Sequence, residues 1–257
     1  MLLKVNGVSK SFGGLKALNN VSVEVAANTI HSIVGPNGSG KTTLFNVVTG
    51  FSRPTAGTIE FKGEDITALR PSDITFRGLV RTFQNVLLFK NLTVLENVLV
   101  GRHCRLKAQA VHSVYRPQWV VEEEAANVRR ARDLLELAGL AGYESDLAKN
   151  LSYGEQKRLE LARALATDPK MVMLDEPAAG TTTAEAENLV DLLRQIRDMG
   201  KTILLIEHKM DMVMSISDRV SVLNFGTKIA EGSPAEVISN RQVIEAYLGK
   251  RWLDAQA

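Results

Sequence analysis

The sequence predicts an α/β fold with a mostly parallel core sheet, antiparallel strands towards the N-terminus and an inserted helical subdomain. Three observations carry that expectation. Short apolar runs that end in a glycine-rich turn or in carboxylates read as buried parallel strands. Such runs alternate with helix-length segments early and late in the chain, the pattern of βαβ units. Between about residues 92 and 165 strand character gives way to mostly helical spacing.

In chain order, Val21-Ser22-Val23-Glu24-Val25 alternates as a half-buried strand, and residues 29–34 form an apolar strand running into a glycine-rich turn. Residues 41–48 suit a helix and residues 57–61 another strand, so the first hundred residues read as strands and turns around one helix. Residues 122–137 carry Val128, Ala131, Leu134 and Leu135 at helical spacing beneath a charged face. Residues 171–174 read as a buried strand, 185–199 as a helix and 202–206 as a second apolar strand. The expected division is a catalytic α/β core over 1–84 and 168–240, a helical subdomain over 85–167, and a C-terminal helix and tail over 241–257. No internal repeat or low-complexity tract interrupts it.

Composition narrows the function classes. With 257 residues, 45% of them hydrophobic, the chain can build a substantial core. A formal net charge of +2 makes no electrostatic case for nucleic acid or for an anionic membrane. The single cysteine, Cys104, excludes an intrachain disulfide and fits a reducing compartment. The N-terminus lacks the apolar run of a signal peptide, and nowhere do about 18 uncharged apolar residues occur in a row. A soluble, cytoplasmic protein is expected.

Gly35-Pro36-Asn37-Gly38-Ser39-Gly40-Lys41-Thr42 matches G-x-x-x-x-G-K-[ST] between an apolar strand and a helix, and Thr43 follows directly. The glycines let backbone N–H groups turn inward on β- and γ-phosphates; Lys41 adds a point charge, and the Thr42 hydroxyl can join a Mg²⁺ shell. Met171-Val172-Met173-Leu174-Asp175-Glu176 delivers two carboxylates at a strand end, beside that loop. Asp175 is the candidate to hold Mg²⁺, and Glu176 to orient or deprotonate an attacking water. Leu151-Ser152-Tyr153-Gly154-Glu155-Gln156 reads either as a capped helix start or as an anion site at a helix N-terminus. Gln84 after a strand and His208 after Glu207 each read singly as ordinary polar residues, yet both stand where a γ-phosphate site needs polar groups.

Taken in order, residues 35–42, Gln84, residues 151–156, Asp175-Glu176 and His208 resemble the complete motif set of ATP-binding cassette (ABC) ATPases, a family of P-loop NTPases. The resemblance covers nearly the whole chain. It implies that Gln84 contacts the metal or the lytic water and couples to a transmembrane permease subunit. It implies that His208 contacts the γ-phosphate, and that Phe12 stacks on adenine, an unstacked Phe in a turn being the other reading. It also implies a head-to-tail pair, in which Ser152, Gly154 and Glu155 of one subunit close over ATP held by the loop of a second ATP-binding subunit. Arg81-Thr82-Phe83-Gln84, Leu92-Thr93-Val94-Leu95-Glu96-Asn97-Val98, the run from Leu151 to Glu160, the ending Val243-Ile244-Glu245-Ala246-Tyr247-Leu248-Gly249 and the longer insert between Asn97 and Glu122 look like cassettes of branched-chain amino-acid importers. That likeness implies attachment to the inner face of the cell membrane through the permease, and indirect service of a substrate-binding protein.

Urea and short-chain amide importers share much of this pattern. Soluble ABC ATPases usually carry tandem cassettes, coiled-coil arms or zinc-binding cysteines, which this chain lacks. One departure stands out: after Asp175-Glu176-Pro177-Ala178-Ala179-Gly180, Thr181-Thr182-Thr183 replaces the Asn-Pro, or Asp in the broader superfamily, of the usual loop. The resemblance places that loop along the dimer interface between the two ATP sites, so slower or less coupled hydrolysis is expected. Thr182 and Glu185 still spell a capping box, so the next helix is expected to start properly. His103, Cys104 and His112 lack the spacing of a metal site. Arg102, Arg105, Lys107 and Arg116 beside Trp119 read as a solvated basic stretch, or as a contact for lipid headgroups or a partner.

Overall fold

A computed structural model describes residues 1–106, 115 and 117–248. Lys107, His112, Arg116, Gly249 and the tail 250–257 lie outside the described residues. The chain opens with strands β1 (Leu3–Phe12), β2 (Leu15–Val25) and β3 (Ile30–Val34), helix α1 (Lys41–Val48), and strands β4 (Ala56–Phe61) and β5 (Glu64–Asp65). Helix α2 (Pro71–Phe76), strand β6 (Leu79–Arg81) and helices α3 (Val94–Arg102), α4 (Gln118–Leu137) and α5 (Tyr153–Ala166) follow. The last part runs β7 (Met171–Asp175), α6 (Thr183–Asp198), β8 (Thr202–Ile206), α7 (Met210–Ile216), β9 (Arg219–Asn224), β10 (Thr227–Gly232), α8 (Pro234–Ile238) and α9 (Arg241–Leu248).

Two sheets result. The larger has the order β10-β9-β3-β8-β7-β6, and all its neighbours pair in parallel except β9 and β10. The smaller, β2-β1-β4-β5, is antiparallel. Every residue of β3, β7 and β8 is buried, because apolar side chains on both pleat faces find cover. One face sends Ile33, Met171, Met173, Leu204 and Ile206 into a core shared with Val5, Ile59 and Phe61 of the small sheet and Leu44, Phe45 and Val48 of α1. The other sends Ile30, Val172, Leu174, Ile203 and Leu205 against Val98, Leu135, Leu159 and Leu193 of the helices α3 to α6. Helix α1 is thus pinned beneath the loop that precedes it. Among the described residues no helix is long and apolar enough to cross a membrane.

Several elements depart from the sequence expectation. Ahead of the stretch expected to be helical from about residue 92, the chain holds two helices, α1 and α2, not one. Helix α2 is six residues long, too short for a periodic pattern, and its signals are a proline and Asp73 in its first turn. Helix α3 begins within the stretch expected to be helical, closed by a Thr93–Glu96 capping box. In β1 the alternation of Leu3 and Val5 slips before Val8 through a register shift at Gly7, whose φ is +58°, so its period is hidden. The β9–β10 hairpin turns through Phe225 and Gly226, both with positive φ, as a two-residue loop of this hand requires. A Phe in that position is no turn signal. Helix α4 extends to Gln118 and buries Ala131, Leu134 and Leu135 as expected, with Val128 half-buried.

Candidate active site

The parallel strands β3, β8, β7 and β6 end on one edge of the sheet, and each leads into a candidate site residue there. From β3 the chain enters residues 35–40. A Cβ on Gly35 would stand 2.1 Å from the Leu223 carbonyl oxygen, and one on Gly40, at φ +104°, 2.7 Å from that of Ala17. Only glycine fits this close approach. Gly40 caps α1 without a side-chain hydrogen bond, and the first turn of α1 carries no acidic residue, so its N–H groups stay open to an anion. Lys41 is folded onto the loop, donating to the carbonyls of Gly35 at 2.8 Å and Pro36 at 3.0 Å. Burial pushes its ammonium pKa down, against the opposing pull of Glu176 and Asp175.

The loop floors an open cleft of about 700 Å³ whose walls include Phe12, residues 37–43, Glu176, His208 and Phe225. Phe12 ends β1, is half-exposed, and has the Lys10 ammonium 4.9 Å over its ring. Phe225, at the hairpin tip, is 87% exposed; sequence reading missed it because only the β9–β10 turn carries it to the cleft.

Glu176 follows β7 in a left-handed conformation, φ +51°, with its N–H bonded to the Ile206 carbonyl of β8. Its carboxylate receives the Gln84 amide at 3.0 Å on Oε2 and His208 Nε2 at 2.7 Å on Oε1. Two residues that were uninformative singly therefore meet on one carboxylate. Asp175 is buried and paired at 2.6 Å with Arg81, which also donates to Asn46. Burial raises the Asp175 carboxyl and the Arg81 bond pulls it back. Neither Arg81 nor Glu207 was foreseen. Glu207 is buried, takes the Ala178 N–H on one oxygen and the His208 and Lys209 N–H groups on the other, and so orders both turns beside the cleft. An acid at the end of an apolar strand was its available signal.

Ser152, Gly154 and Glu155 do not line this cleft. They open α5 with a full capping box: the Ser152 hydroxyl accepts the Glu155 N–H and the Glu155 carboxylate accepts the Ser152 N–H. Hydrogen bonds from the Ser152 N–H and the Ser152 hydroxyl hold the Glu155 carboxyl below its usual range. Gly154 is buried against α6, where an added Cβ would meet the Glu185 carboxylate at 2.3 Å. His103 and Cys104 are exposed.

The chain resembles known proteins along its length. The profile described as ABC transporter matches residues 18–179, and that described as Branched-chain amino acid ATP-binding cassette transporter matches residues 227–252. It is 46% identical over 250 residues to the high-affinity branched-chain amino acid transport ATP-binding protein LivG of Salmonella typhimurium, covering 97% of this chain and 98% of that protein. Identity to the corresponding protein BraF of Pseudomonas aeruginosa is 43%, over 97% and 98% of the two chains. The fold is similar to the ADP conformation of MJ1267, an ATP-binding cassette of an ABC transporter, with TM-score 0.84, 38% identity and coverage of 97% and 99%. A dimeric post-hydrolysis structure of the cassette MJ0796, bound to ADP and Pi, is similar at TM-score 0.76 and 26% identity, covering 90% and 98%.

Proposed function

The chain belongs to the ABC transporter family, and from that premise we propose that it is the ATP-hydrolysing subunit of an importer for branched-chain amino acids. The observation that carries the catalytic part is the convergence of Gln84 and His208 on the Glu176 carboxylate at the rim of the phosphate-loop cleft. ATP binds with its adenine against Phe12 and its phosphates over the open N–H groups of residues 35–43. Lys41 exchanges the Gly35 and Pro36 carbonyls for β- and γ-phosphate oxygens. Glu176 orients a water in line with the γ-phosphorus and takes its proton, while His208 and Gln84 hold the carboxylate and the γ-phosphate; the products are ADP and phosphate.

The oxygen donors of Thr42, Asp175 and Gln84 suit Mg²⁺, a hard cation that keeps few protein ligands and several waters. When bound it neutralises phosphate charge. The Ser152–Gly154 turn, outside its own chain's cleft, closes on ATP held by a second cassette, either another copy or a sister subunit. ATP then favours the closed pair and hydrolysis releases it, a population shift set by differential binding. The dimeric relative bound to ADP and Pi supports this arrangement. The named relatives and the C-terminal profile support branched-chain amino acids over urea or amides, and with them a place on the cytoplasmic face beneath permease subunits that a substrate-binding protein supplies.

Glu176→Gln tests the catalytic assignment. Hydrolysis should fall about 100-fold or more while ATP binding persists, and size-exclusion chromatography should show an ATP-dependent dimer. Hydrolysis at the wild-type rate would refute the role of Glu176. The transport assignment is checked by co-purification with a multi-span partner and by ATP-dependent uptake of leucine, isoleucine or valine.

A further inference from the structure

Lys157 lies just past the first turn of α5, on the helix that starts at Ser152, and its side chain crosses to the segment that follows β7. Its ammonium donates to three backbone carbonyls, those of Glu176 at 3.0 Å, Pro177 at 3.1 Å and Ala179 at 2.8 Å. An ammonium has three N–H donors, so this one is fully used. The Nζ also sits 5.1 Å over the Tyr153 ring, and Gly180 packs so closely on that ring that an added Cβ would come within 3.2 Å. Half-buried, with Glu207, Glu160 and Glu176 offsetting its burial, Lys157 is placed as a fixed member of the fold rather than as a mobile surface cation. Its first acceptor belongs to Glu176 itself. That residue holds a left-handed backbone, φ +51°, which a non-glycine residue keeps only when its surroundings impose it.

We propose that Lys157 is a positioning residue for ATP hydrolysis: by gathering the carbonyls of residues 176, 177 and 179 from α5, it fixes the turn that aims the Glu176 carboxylate into the phosphate-loop cleft. The proposal rests on the reading of Glu176 as the group that activates water. Lys157 does not line the phosphate-loop cleft and acts only through that carboxylate. Removing it therefore costs turnover rather than binding, and costs nothing further once the carboxylate is gone.

The test is a double-mutant cycle on the purified full chain, reading steady-state Mg-ATP hydrolysis, equilibrium ATP binding and melting temperature. Lys157→Met should lower kcat about tenfold or more while KM and the ATP dissociation constant stay within about twofold. Glu176→Gln/Lys157→Met should hydrolyse no more slowly than Glu176→Gln alone, within about twofold. Lys157→Gln, neutral but polar, is held to the same two criteria and carries the cycle if the methionine variant does not fold. Lys157→Arg, which keeps charge and donors in a planar fork, should recover part of the lost turnover. A neutral variant within about twofold of wild-type kcat, a loss that multiplies in the Glu176→Gln background, or a loss confined to ATP binding would each overturn the proposal with the Glu176 reading intact. Full hydrolysis by Glu176→Gln alone would instead overturn that reading, and this inference with it.

Discussion

His31 shows how a single residue can be legible in sequence and still conceal its physics. It sits in β3, in register with Leu204 of β8 and Arg219 of β9, buried to 1% exposure, with Nε2 and the Ser221 hydroxyl 2.9 Å apart. Burial lowers its pKa from 6.5 to about 4; Glu231 opposes that shift, and Arg219 and Lys228 reinforce it. Between those values the unfolded chain binds a proton that the folded chain refuses. The stability contribution is thus complete above pH 6.5 and is lost as pH falls towards 4, by about 3 kcal/mol for a shift of this size. Chemical denaturation at pH 7.5, 6 and 5 should show His31→Asn losing less stability with acid than the wild type; parallel curves would exclude His31 as the source. In the site, Glu176, Lys41 and Asp175 were readable because each lies in a short contiguous motif. Arg81 and Lys157 were not. Their partners are 94 and 19 to 22 residues away, and no local pattern announces a contact of that kind.

At the level of elements, local chemistry set several helix starts. Thr93–Glu96, Ser152–Glu155, Thr182–Glu185 and Ser233–Glu236 are all reciprocal capping boxes, and each is visible as S/T-x-x-E in the sequence. The Thr182 box explains how the unusual Thr181-Thr182-Thr183 stretch still launches α6. Thr182 has φ −66° and ψ 167°, a geometry that also accepts Asn as a cap before a proline at the first helical position. Thr182→Asn with Thr183→Pro should therefore leave the melting temperature unchanged. We expect the double variant to hydrolyse ATP faster or more cooperatively, since the family resemblance implies that this loop links paired sites. Unchanged rate and cooperativity would remove the idea that this loop slows coupling here. Elements whose cues are not local escaped the sequence. Helix α2 is too short for periodicity, β1 hides its alternation behind a bulge, and the β9–β10 turn is made by Phe225 and Gly226.

Over the whole molecule, the strand order decides what meets what. Strand β8 lies between β3 and β7, so Asp175 and Glu176 reach the phosphate loop across a strand rather than from the adjacent one. The same order brings residues 84, 176 and 208 to a common edge. The Ser152–Gly154 turn stays outside that cleft, which makes a head-to-tail pair a testable requirement. In the Glu176→Gln background, Lys41→Ala lacks a working loop and Ser152→Phe lacks a working turn. Each alone should remain monomeric in ATP, whereas their mixture should yield an ATP-dependent dimer built around one intact site. A mixture that stays monomeric would count against the paired reading. The sequence by itself determined the α/β class, the phosphate loop, the carboxylate strand end and the capped turn at Ser152, because glycine spacing, apolar runs and capping boxes are local and direct their own geometry. Only the tertiary structure decided that Gln84 and His208 grip the same carboxylate, that Arg81 answers the charge of Asp175, and that Lys157 ties α5 to the turn at Glu176. Those contacts depend on strand order and sheet packing, which arise from burying two faces of one sheet and leave no trace in any short stretch of residues.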